Sequence, residues 1–132
     1  MKNIILSLIA LLFAVSCANT KPLRSLENNK IPSGLSAEKI EKAILSSGRT
    51  NGWELMKSKK SANSYLGKLY IRKHYLEVLI VTEKNSYTVL YNDSRFMKYN
   101  SASGVIHRNY YLWVSNLIAE INNELKIAKH HE

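Results

Sequence analysis

The sequence predicts an α+β domain: α-β-β-β(-β)-α, an antiparallel meander sheet with two helices packed on one face. Three observations carry this. Apolar residues recur at 3–4 spacing in two segments, residues 36–48 and 108–129. Between them, over residues 50–92, apolar and polar residues alternate instead. Polar clusters at 57–63 and 83–86 divide that stretch into three or four short runs.

Each element has its own signals. Ser36 is placed to cap the first helix, and Glu38 suits the positive end of its first turn. Leu35 and Ile40 stand at hydrophobic-staple positions, and Gly48 stands where a C′ stop is wanted. Ile40, Ala43, Ile44 and Ser47 form its core stripe. Trp53 and Leu55 then alternate with Glu54. Tyr65, Leu69 and Ile71 share one side of the next run, with Lys68, Tyr70 and Arg72 on the other. Residues 76–82 are dense in apolar side chains, which places them centrally. Tyr87, Val89 and Tyr91 alternate with Thr88 and Leu90. Residues 72–74 fit either a turn or a bulge, and 92–106 read as an irregular crossing loop. The last helix carries Tyr110, Val114, Leu117, Ile118, Ile121 and Leu125 on one stripe. The expected core joins Ile40, Ile44 and that stripe to Trp53, Leu69, Ile71, Val78 and Ile80.

Composition narrows the functional classes. The chain has 132 residues, which is one domain, and 45% hydrophobic residues, which excludes bulk disorder. No apolar run reaches the roughly 20 residues of a spanning helix. One cysteine excludes an internal disulfide and a cysteine-rich zinc site. The formal charge is +9, from 19 Lys and Arg against 10 Asp and Glu.

The N-terminus reads as an address. Lys2 forms a positive start, residues 4–15 an apolar stretch, and small residues lead into Cys17. Ala14-Val15-Ser16-Cys17 resembles the lipobox of bacterial lipoproteins, with Ala14 where Leu is commoner. That resemblance implies a signal peptide over 1–16 and acylation, such as palmitate, on Cys17. Several acyl chains at about 0.8 kcal/mol per buried CH₂ make a permanent anchor. Ala18, by resemblance to Gram-negative sorting rules, implies the outer membrane, with the domain facing the periplasm. Residues 17–35 hold both prolines, Pro22 and Pro32, together with Asn28-Asn29 and Ser33-Gly34. They read as the lipidated Cys and a flexible tether spanning on the order of 25 Å on average. Residues 36–132 are then the single folded domain.

Further residues carry a family resemblance. They are Gly52-Trp53, Gly67-Lys68-Leu69, the apolar run at 78–81, the stretch 91–99, and Ile106-His-Arg-Asn-Tyr-Tyr-Leu-Trp-Val114. Over about residues 36–125 the chain resembles a group of small, uncharacterised proteobacterial lipoproteins. These have a GW at the sheet start and an Ile-His-x-x-Tyr-Asn-x-Trp-Val run opening the last helix. Tyr111 replaces the Asn here. The resemblance implies the α+β fold and the envelope address, and no activity.

Candidate sites follow from residue chemistry. Lys68, Tyr70 and Arg72, with Lys57, Lys59 and Lys60 in the neighbouring turn, suggest a basic, tyrosine-bearing sheet face for an anionic ligand. His107 and Trp113 suggest either an aromatic-imidazole patch for a partner or rings that lock the crossing loop. Ser94, His107 and Glu77 are the components of a conceivable hydrolytic triad, but no G-x-S-x-G surrounds Ser94 and the stretch 92–94 reads as a turn. His74, His107, His130 and His131 lack metal-ligand spacing, and Asp93 is the sole aspartate. No cofactor and no metal are expected. An export address argues against nucleic acid as a partner. The expected function is a membrane-anchored, non-catalytic binding or interaction module. Its partner would be an envelope protein or an anionic envelope component. A small envelope hydrolase is the alternative.

Overall fold

The computed structural model describes residues 19–131. The export signal and Cys17 lie outside the described residues. Nine elements follow in order: β1 (Thr20–Pro22), β2 (Leu26–Lys30), α1 (Ala37–Ser46), β3 (Trp53–Lys57), β4 (Ser64–Ile71), β5 (His74–Thr82), β6 (Ser86–Arg95), β7 (Val105–His107) and α2 (Asn109–His130). Strands β3 to β6 form the expected meander, and β2 extends it, giving the antiparallel order β2-β6-β5-β4-β3. Strands β1 and β7 make a separate antiparallel pair. No helix among the described residues is long and apolar enough to cross a membrane.

The local signals act as read. Ser36 Oγ accepts from the Lys39 N–H at 3.2 Å. Leu35 and Ile40 both pack on the core. Gly48 sits at φ 86, and its carbonyl accepts from the Trp53 N–H at 2.8 Å, so the turn after α1 feeds straight into β3. Residues 72–73 form a two-residue hairpin turn with Arg72 at φ 55.

One face of the sheet carries the core. Leu69, Leu76, Val78, Ile80, Tyr87 and Val89 are at most 2% exposed and meet Ile44 of α1 and Tyr110, Val114, Leu117, Ile121 and Leu125 of α2. Burying one such aliphatic side chain stabilises by about 1.5–3 kcal/mol. The Tyr110 hydroxyl, inside this core, has no hydrogen-bond partner among the described residues.

Two expectations are corrected. Residues 19–31 are not a free tether. Thr20, Lys21 and Pro22 pair with His107, Ile106 and Val105, while Leu26, Asn29 and Lys30 pair with β6. Ile31 is buried in the core, and the Asn19 carbonyl accepts from the Arg108 N–H at 2.9 Å. Pro22 is tolerated because β1 is an edge strand, and Pro32 falls after β2 ends at Lys30. The folded domain therefore begins by residue 19, not residue 36.

The loop expected at 92–106 is also partly strand. Glu77 pairs with Asp93 but Val78 pairs with Tyr91, so Asn92 is an extra residue, a β-bulge. The bulge shifts the alternation, and β6 continues to Arg95 with Ser94 opposite core residue Leu76. Met97 and Ile106, from the same stretch, are fully buried.

Candidate functional site

The basic sheet face does not assemble. Lys68 and Tyr70 do lie on the helix-free face, but the register sets Lys68 between Glu54 and Glu77, with Asp93 beyond. The Tyr70 and Tyr75 rings lie 4.7 Å apart, tilted by 32°, and Arg95 sits 5.7 Å over the Tyr75 ring. Arg72 is in the hairpin turn, off the face. Lys57 pairs with Glu41 of α1 at 2.9 Å, and this hydrogen bond raises the pKa of its ammonium. Lys60 donates to Asn92 Oδ1 at 3.1 Å, and Asn92 donates to Glu77 Oε2 at 2.6 Å. Lys59 stays exposed in the turn. Four long apolar side chains, Met56, Leu66, Leu79 and Leu90, run across the same face in register. The face is mixed and charge-balanced, with no cationic platform.

His107 and Trp113 do come together, with His74. The His74 ring lies 6.0 Å from His107 and 5.8 Å from Trp113. His74 Nδ1 is 2.7 Å from the Phe96 carbonyl, so this nitrogen carries the proton and donates. His107 Nδ1 accepts from the Asn109 N–H at 3.1 Å, so it is bare. Burial, then Lys98, His74 and Arg108, lower the His107 pKa below the usual 6.5. Protonation would also set an N–H against the first amide of α2. The unfolded chain therefore binds this proton first, and stability falls as pH drops below about 6.5. Urea midpoints at pH 7.5 and 5.5 should show this loss in the native chain. His107→Gln should flatten the difference, and an undiminished slope would discount His107 as its source.

The conceivable triad is dispersed. Ser94 bonds Tyr91 through their hydroxyls at 2.7 Å on the helix side of the sheet. Glu77 faces the other side and accepts from Tyr75 and Asn92. His107 is engaged at Asn109. His130 and His131 sit at the end of α2, remote in the fold from His74 and His107. Among the described residues no group of three or more His, Cys, Asp or Glu is arranged to hold a metal.

A different feature emerges beside α2. Trp113, Asn116, Glu120 and Asn123 follow one another at spacings of three and four and so share one helix face. Arg49, Thr50 and Asn51, in the turn between α1 and β3, form the facing wall. A depression of 590 Å³ separates the walls. A second depression of 230 Å³ continues it, sharing Asn51 and Asn116, and is lined by Trp53, Leu69, Ile71 and Trp113. Asn51 Nδ2 donates to Glu120 Oε1 at 2.5 Å, bridging the walls. The buried Trp53 donates its indole N–H to the Trp113 carbonyl at 3.2 Å. This bond fixes the aromatic end of the groove against β3.

Of the residues read as candidates, Trp113 alone lines this groove. Asn51 and Asn116 carried no signal, because asparagines are common in this chain and these two meet only through the fold. No protein-family model matches the chain, and no curated protein or solved structure matches it significantly.

Proposed function

We propose that the chain is a lipid-anchored lipoprotein of the bacterial envelope, held through Cys17. It acts as a non-catalytic binding module whose ligand lies in the groove beside α2. The lipobox-like Ala14–Cys17 run and the resemblance to small proteobacterial lipoproteins support the address. The groove carries the binding half of the reading: two joined depressions with a half-buried Trp113 at one end and three asparagines along the walls. The larger depression is mainly polar, and convergent polar groups of this kind fix the orientation of a bound ligand. The groove's charges, Arg49 against Glu120 and Glu124, give it no cationic excess. This moves the reading away from anionic ligands and away from the Lys68–Arg72 side of the sheet.

Two measurements test the reading. Cys17→Ala should leave the domain folded and shift the protein from the membrane pellet to the soluble fraction. Recovery in the pellet at wild-type levels would refute the acyl anchor. Separately, the detergent-solubilised chain should sediment with envelope fragments stripped of lipid. Asn116→Lys, which fills the groove, should abolish sedimentation, and Tyr70→Ala on the sheet face should not. Equal sedimentation of Asn116→Lys and wild type would overturn the groove as the binding site.

A further inference from the structure

The chemistry of the groove narrows its ligand class. Asn116 and Asn123 each present both an amide N–H₂ donor and a carbonyl acceptor, Asn51 keeps its carbonyl and one N–H beside its bond to Glu120, and Thr50 adds a hydroxyl that does both. A ligand that satisfies such walls must itself donate and accept at many positions. A hydrocarbon chain would leave these groups desolvated and unpaired, at a cost. A phosphate or carboxylate would meet Glu120 and Glu124 with only Arg49 as counter-charge. The smaller depression differs. There the half-buried Trp113 and Ile71 stand beside Asn51 and Asn116, over the buried Trp53 and Leu69, a recess of mixed surface that offers an aromatic ring to C–H groups or a methyl. Hydroxyl-rich edges beside a C–H face are the surface of a sugar ring. From Trp113 to Asn123 the wall is about 15 Å long, at 1.5 Å per helical residue. That length suits several linked rings.

We infer that the groove between α2 and the α1–β3 turn binds an uncharged oligosaccharide, with a ring or its acetamido methyl against Trp113 and its hydroxyls on Asn51, Asn116 and Asn123. The inference rests on the groove being the binding site, and it names the ligand's chemistry.

The whole chain, in a polyoxyethylene detergent that offers no competing glycoside, is titrated with triacetylchitotriose and with cellotriose. Tryptophan emission is the readout, since Trp113 is half-exposed while Trp53 is buried. Saturable change with either sugar is the expected result. Binding of the N-acetylated sugar alone assigns the recess to the acetamido methyl. Asn116→Ala and Asn123→Ala should each weaken binding about tenfold or more, the effect of losing a hydrogen bond to a buried ligand group. Tyr70→Ala should bind as wild type. Asn123 is exposed, so its variant keeps the test valid if Asn116→Ala fails to fold. No saturable change with either sugar overturns the inference, as does unaltered binding by Asn123→Ala or displacement of the sugar by inorganic phosphate. If groove-dependent sedimentation with envelope fragments persists while neither sugar binds, the saccharide is wrong and the binding module stands. If sedimentation ignores the groove, both fall.

Discussion

Deleting residues 19–31 should abolish cooperative folding. Strand β1 covers β7, and β2 covers the outer edge of β6. Removing them strips both edges of their ladders. The Gly104 carbonyl loses the Leu23 N–H at 2.8 Å, and the Asn85 carbonyl loses the Ile31 N–H at 2.9 Å. Tyr111, which donates to the Pro22 carbonyl and accepts from the Arg24 N–H, loses both partners. Ile31 leaves the core, and Leu23 and Leu26 leave its margin. Burying one aliphatic side chain is worth about 1.5–3 kcal/mol, and each hydrogen bond about 0.5–1.5 kcal/mol. Together these losses approach the roughly 5–15 kcal/mol that stabilises a whole small domain. Thermal melting followed by circular dichroism should show no cooperative transition in the deleted chain. A melt like wild type would restore the picture of a free tether.

Gly48→Ala should cost about 3 kcal/mol, in two parts that a second variant separates. The backbone at Gly48 has φ 86, where an L side chain adds about 1–2 kcal/mol of strain. A Cβ there would also lie 2.5 Å from Trp53 Cβ and 2.7 Å from Leu55 Cδ2. The Trp53 contact is close to the backbone and cannot swing away, so β3 must shift, an overpacking cost of about 1–3 kcal/mol. Gly104 has φ 66 but open space around it, so Gly104→Ala isolates the strain alone. Urea unfolding of the two variants should rank Gly48→Ala as clearly the more damaging. Equal losses would mean that the approach of β3 to the turn is not tight.

The helices and the meander were legible because burial leaves a period in the sequence. Ile44, Val114 and Leu117 recur with the helix turn, and Val78 and Ile80 with the strand pleat. Strands β1 and β2 leave no such trace. Their sequences, Thr-Lys-Pro and Leu-Glu-Asn-Asn-Lys, have no strand preference, and edges that need partners recruit them. The end of β6 was hidden differently. The bulge at Asn92 breaks the alternation, so a strand reads as a polar turn. The groove was least legible of all. Its walls join Asn51 to Glu120, which are 69 residues apart, and spacing holds no information about such a pair. The charges misled for a related reason, since Lys68 reads as basic until the register sets Glu54 and Glu77 beside it.

The β1–β7 clasp changes how the domain would search its surroundings. Asn19 is already bonded to Arg108. With acyl chains on Cys17, only Ala18 would lie between the bilayer and the fold. A leash of two peptide units reaches about 7 Å. A free eighteen-residue tether would instead have let the domain sample a shell several tens of ångströms deep. Confined in this way, a lipid-anchored domain would meet partners in a thin layer at the bilayer surface at high effective concentration, and more distant ones hardly at all. Weak intrinsic affinity would then suffice for its ligand, provided the ligand comes to the membrane.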